Sequence, residues 1–431
     1  MCHQPASQWR GHCRTVMNTR YRQSAMSNGS RLSAAALFAG FNDRTVLALG
    51  LTQTIGYGTL FYAYGVLAPA ISREFGVGID WFFGAFTVGL LLGGLVAPVV
   101  GRELDRRGAR QVMSVGSLAA AGGLVACAMA PNIWAFSVAV VFMEAAACLV
   151  LYEAAFAGLT QIYRYEARRG ITLITLIAGF ASTIFWPLTQ WMLGALDWRW
   201  TLLIFAVVHL AVCFPLHVLV LGLAKPVVTA VAATTSGESP PVLVGEARRR
   251  ALVFYTSAIV MAGLVTSAFP VHMLRIIENE GFTAEVAAVI AMVMGPAQVV
   301  ARLIEVLCGH RFDSLMTGRV ALGALAACIA LLLATPGSLG TAIAFAALYG
   351  AAQGMITIAR GTVPLQLFGP QGYGTLVGRI TGLRFLLNAA SPFLFALGMA
   401  HLSVDAALWV CGGIAVLAFG LFMLLEAPKP A

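Results

Sequence analysis

Along the chain, long uncharged stretches alternate with short polar ones. Residues 81–100 and 112–130, for example, contain no charged residue. A stretch of about 20 apolar residues crosses the hydrocarbon core of a bilayer as a helix. The pattern predicts twelve such spans, near residues 46–70, 81–101, 110–130, 132–160, 170–195, 200–223, 251–276, 283–308, 317–335, 338–360, 372–398 and 403–426. Backbone polar groups find no partner in lipid, so each span must be helical. Spans four and eleven exceed a straight crossing and imply tilt or an end outside the bilayer. The predicted fold is an all-α membrane protein, twelve transmembrane helices in two six-helix pseudo-symmetric halves.

Polar stretches set the expected organisation. Residues 225–249 pass from Lys225-Pro226 through a Thr/Ser/Gly/Pro-rich run to Arg248-Arg249-Arg250. Such composition packs no core and reads as a cytoplasmic tether. It separates an N-terminal half, 46–224, from a C-terminal half, 250–427. A tail at 1–45 precedes them and a short one at 428–431 follows. The first 25 residues are polar and arginine-rich, without the apolar core of a secretory signal. Met26 is an alternative start of translation to Met1.

Hydrophobic residues make up 59% of the 431 and charged residues 10%, against about 25% charged in soluble domains. The formal charge of +9 reads as basic loops rather than a nucleic-acid surface. Arginines crowd the N-terminal tail and then alternate loops: Arg102/Arg106/Arg107/Arg110, Arg164/Arg168/Arg169, Lys225 with Arg248–Arg250, and Arg311/Arg319. The positive-inside rule then places both termini and the linker in the cytoplasm. The expected location is the inner membrane of a bacterium.

The turn between spans two and three reads Gly101-x3-Asp105-Arg106-x-Gly108-x-Arg110. Gly101 and Gly108 suit close backbone approach and unusual dihedrals where two helices reverse. This motif resembles the loop 2–3 signature of the major facilitator superfamily. The resemblance implies secondary transport by alternating access. It further implies that Asp105 locks onto the start of span eleven near 372–375, and that Arg110 pairs with an acid at the end of span four, Glu166 being nearest. After span eight, Gly309-x3-Asp313 repeats Gly101-x3-Asp105 at an offset that sets the halves in register. The pentapeptide Gly-Tyr-Gly-Thr-Leu at 56–60 and 372–376 does not fit that register and reads as helix-packing chemistry.

Charged residues within spans are costly in lipid and mark a pathway or a paired site. They are Glu144 and Glu153 in span four, Arg302 and Glu305 in span eight, and Arg379 and Arg384 in span eleven, with His209 and His217 in span six. Arg360, near the end of span ten, is expected to snorkel. At 100° per residue Glu144 and Glu153 point to opposite helix faces, so one at most would face a central cavity. Arg302 and Glu305, three apart, would neutralise each other; Arg384 and Asn388 would share a polar face. Each is equally readable as an interhelical ion pair.

Arginine grips a carboxylate in a bidentate fork, and a bundle glutamate can exchange a proton. An anion site on Arg302, Arg384, Arg379 and Tyr57, with Glu144 or Glu153 as proton carrier, follows. This layout resembles the monocarboxylate and oxalate–formate branch, whose eighth helix carries the substrate arginine, matched here by Arg302. The substrate would be a small organic anion and the coupling ion a proton. One alternative is efflux of a drug-like or metalloid compound. Gly170 and Gly179 fit the first spacing of the antiporter signature in span five, whereas Thr183 and Phe185-Trp186-Pro187 depart from it. A second alternative is a membrane sensor without transport.

No enzyme motif is present: no His-rich metal run, Gly-x-Ser-x-Gly or phosphate loop. The eight cysteines show no metal or redox spacing and read as small buried hydrophobes. No cofactor or metal is expected; the partners are a small solute and the bilayer.

Overall fold

Among the described residues, predicted spans four, five, eight and eleven are interrupted, and the break in span four reshapes the centre of the molecule. The computed structural model describes residues 43–223, 240–308 and 312–428. The tail arginines before Arg44, Met26, Cys2, Cys13, most of the linker, Gly309, Arg311 and the last residues lie outside the described residues. No strand occurs among the described residues.

Ten helical stretches are long and apolar enough to cross a membrane. One of them, Ile133–Ala195, is 63 residues long and turns back at Arg164, where φ is 51°, so it makes spans four and five. Residues 44–75 add span one, giving twelve. Span one combines Arg44–Tyr57, a π-helical turn Gly58–Tyr62 and Ala63–Phe75; span six combines Trp198–Val208, a second π turn His209–Cys213 and Phe214–Leu223. The π turns meet: Thr59 Oγ1 and His209 Nε2 are 2.8 Å apart. His217, one helical stretch further, is held by Ser117 at 2.8 Å and Thr52 at 3.1 Å.

Two separate apolar cores form. One runs from Ile55 to Cys213 and the other from Ala251 to Leu425. Large apolar side chains such as Trp134, Trp191, Met292 and Trp409 face outward, as contact with lipid requires and water would not favour.

The turn after span two is shorter than its charge suggests. Helix Ile79–Arg107 runs through most of the motif, and the next begins at Ala109. Leu104 is buried, and Glu103 pairs with Arg106 at 3.3 Å and Arg107 at 2.5 Å within the same helix. Gly108 alone makes the reversal, at φ 82°, a region only glycine enters freely. Gln161 of span four seals it, accepting from the Ala109 N–H and donating to the Leu104 carbonyl, both at 2.8 Å.

Span four is Ile133–Ala147 followed by Tyr152–Tyr163, interrupted at 148–151. A break inside a membrane frees backbone groups that need new partners. Gln53 of span one, wholly buried, supplies one: its Nε2 donates to the Val150 carbonyl at 2.7 Å. Span eleven breaks similarly between Tyr373–Asn388 and Ser391–His401, with Ser391 Oγ donating to Leu264 O at 2.5 Å. Span ten, Leu339–Phe368, continues well past Arg360.

Candidate functional site

The extensive contacts between the halves all lie toward the end bearing the Gly101–Arg110 turn. Span two packs on eleven, five on eight and ten, and four on ten and eleven. Along the two–eleven seam the backbones touch. A β-carbon on Gly101 would sit 2.2 Å from the Gly374 carbonyl oxygen, and one on Gly378 would sit 2.6 Å from that of Ala97. Asp105 closes the seam, its carboxylate accepting from Gly374 N at 2.9 Å and Thr375 N at 2.7 Å. These are the free N–H groups of a helix start, where a negative charge is favoured. Between spans five and eight, Arg168 pairs with Glu305 at 3.0 Å and donates to Phe312 O at 2.6 Å.

Above these contacts lies a cavity of about 270 Å³ with walls from both halves. Tyr57, Glu144, Glu153, Arg302, Arg360 and Arg384 all face it. At its floor one carboxylate oxygen, Glu153 Oε1, accepts from Arg360 at 2.5 Å, Arg384 at 3.3 Å and Thr381 at 3.3 Å. This cluster joins span four to spans ten and eleven. Arg302 stands apart: it is 4% exposed, its Nε has no hydrogen-bond partner, and no carboxylate pairs with it among the described residues. Its guanidinium rests on span five at Gly179, where a β-carbon would meet Nη1 at 2.6 Å. Glu144 is buried too, its Oε1 without a partner.

Several expectations are corrected by this geometry. Glu144 and Glu153 both line the cavity, because the break at 148–151 resets the helical phase between them. Arg302 and Glu305 do not pair; Glu305 turns to Arg168 of the other half. Arg384 binds Glu153, while Asn388, four residues on, packs on Gly263. Arg360 does not snorkel, since eight more helical residues separate it from the helix end and the half-buried Glu153 carboxylate claims it. Arg379 is exposed and off the cavity. Arg110 lies against Gly222 at the end of span six, and no Arg110–Glu166 pair forms among the described residues. Asp313 caps its own helix at Met316 N, 2.8 Å away, and accepts from Gln366 Nε2 at 3.1 Å; among the described residues it makes no crossing like that of Asp105. Among the described residues no three His, Cys, Asp or Glu side chains converge on a metal site.

A central cavity between two helical halves, closed at one end and carrying buried charge, defines a secondary transporter rather than an enzyme. The chain belongs to the major facilitator superfamily, whose model matches residues 49–392. Two solved structures share the fold. The human organic anion transporter MFSD10 (TETRAN) is 18% identical, with a TM-score of 0.65 over 89% of this chain and 99% of that one. The proton:xylose symporter XylE, bound to 6-bromo-6-deoxy-D-glucose, is 11% identical, with a TM-score of 0.67 over 90% and 97%. No protein of curated function matches in sequence.

Proposed function

We propose that this transporter moves a small organic anion, a monocarboxylate, by alternating access, with a proton carried on Glu144. The observation carrying this reading is Arg302, a buried guanidinium without a carboxylate partner on the cavity wall. A lone charge in a bundle is costly, and a ligand of opposite charge offsets that cost with a bidentate grip. Arg360 and Arg384 are already committed to Glu153, so Arg302 is the free anion receptor. Glu144, buried on the same cavity, is placed to take up and release a proton as the cavity changes sides. With the basic turns in the cytoplasm, the arrangement is the outward-open state of a bacterial inner-membrane protein with both termini cytoplasmic. Export of a metalloid gains no support, since Cys148 is the one thiol on the wall among the described residues.

The test is uptake of radiolabelled acetate, lactate and phenylacetate into proteoliposomes, with and without a proton gradient. Arg302→Ala should weaken apparent affinity at least tenfold, as loss of one partner of a buried charge contact does. Glu144→Gln should abolish acceleration by the gradient. Unchanged affinity in well-folded Arg302→Ala protein overturns the anion reading, and binding without flux makes the protein a sensor.

A further inference from the structure

The cavity's two walls differ chemically. The C-terminal half presents amide, hydroxyl and guanidinium groups, chiefly Gln298, Arg302, Gln353 and Thr357. The N-terminal half presents rings, Tyr57, Phe61, Tyr62 and Tyr152, beside the carboxylates of Glu144 and Glu153. These rings form two groups on that wall. Tyr57 and Tyr152 lie 4.5 Å apart between centroids, Phe61 and Tyr62 5.4 Å, and Trp186 meets the edge of Tyr62 at 5.9 Å. Arg302 and the Tyr62 and Tyr152 rings line the same cavity, so one ligand can meet both.

Size bears on the occupant. An apolar cavity of roughly 150 Å³ holds benzene, and about 270 Å³ is available here. The space therefore takes a six-membered ring together with a carboxylate arm. A two- or three-carbon acid seated on Arg302 would leave the aromatic wall facing water and would touch one half alone.

We propose that the substrate is a monocarboxylate with a flat apolar body, of the arylcarboxylate class, its carboxylate on Arg302 and its ring against Tyr57, Tyr62 and Tyr152. This rests on the anion reading above and adds the second contact. Such a ligand spans the two halves, charge on one and ring on the other. Rings stacked face-offset or edge-on gain beyond area burial alone, which gives the N-terminal wall a role in selecting the ligand.

The experiment is equilibrium binding to the purified full-length chain with three probes: phenylacetate, acetate and uncharged benzyl alcohol. Phenylacetate should bind at least tenfold tighter than either of the others. Tyr62→Leu and Tyr152→Leu should each reduce the phenylacetate-to-acetate ratio below about threefold. Should buried Tyr152→Leu misfold, half-buried Tyr62→Leu carries the test. Equal binding of acetate and phenylacetate, or a ratio indifferent to Tyr62, overturns this inference and leaves the anion reading standing. Benzyl alcohol binding as tightly as phenylacetate overturns the anion reading and with it the two-contact site, as does silence with both acids.

Discussion

Two of the contacts that close the molecule at its basic end are made of different material. Between spans two and eleven, backbone lies on backbone through Gly101, Gly374 and Gly378, and Asp105 caps the edge. Between spans five and eight the work falls to side chains, Arg168 reaching Glu305 and the Phe312 carbonyl. The first contact depends on shape, so any added atom opposes it. The second depends on charge, so it yields to neutralisation and to salt. Of the two motif acids, Asp105 thus crosses between the halves, whereas Asp313 keeps to its own helix and to Gln366 among the described residues.

Substitutions separate the two designs when read as distances between spin labels at Arg102 and Arg379, both exposed. Gly101→Leu should act most strongly. Its β-carbon would meet the Gly374 carbonyl oxygen at 2.2 Å, and overpacking against unyielding backbone costs about 3 kcal/mol. The seam should open in most molecules, insensitive to salt; a label distance unchanged from the parent protein would break the shape argument. Arg168→Ala comes next, leaving Glu305, 9% exposed at its side chain, with Thr317 as its remaining partner. The cost, about 1–3 kcal/mol, is tempered by the exposure of Arg168. The population of opened molecules should rise about tenfold, with high salt mimicking the change in the parent protein. The smallest effect sharpens the contrast between the duplicated acids. Asp105→Ala and Asp313→Ala each remove a helix cap worth about 1 kcal/mol. Asp105→Ala should shift the label distance, whereas Asp313→Ala should lower the melting temperature without moving it. Identical behaviour of the two would mean that crossing between halves gives Asp105 no separate part.

The number of spans was legible in the chain because bilayer thickness turns hydropathy into a count. The cavity was less so, for reasons visible in single residues. Counting at 100° per residue set Glu144 and Glu153 on opposite faces, yet the helix between them is interrupted and the interruption is held by Gln53, on another span. Arg302 lies three residues from Glu305 along the chain, and local spacing could not show that Glu305 answers instead to Arg168 across the molecule. Arg360 looked terminal because Gly361, Thr362 and Pro364 follow it, although the helix tolerates all three and continues to Phe368. A glutamine between two threonines at position 53, inside an otherwise apolar span, and an arginine four residues before a proline were the available signals. Each required knowledge of a distant partner to interpret.

The seam between spans two and eleven also bears on how quickly the molecule can work. Where Gly101 meets Gly374 and Gly378, no side chains interlock, so the helices part there without a single rotamer having to change. Interdigitated cores resist small displacements because every neighbour must move at once; a smooth glycine track does not. The activation barrier for opening is therefore expected to reside in the discrete polar ties at Asp105, Glu153 and Arg168. The expected turnover rate then follows the lifetimes of a few hydrogen bonds rather than the area of the surface they hold shut.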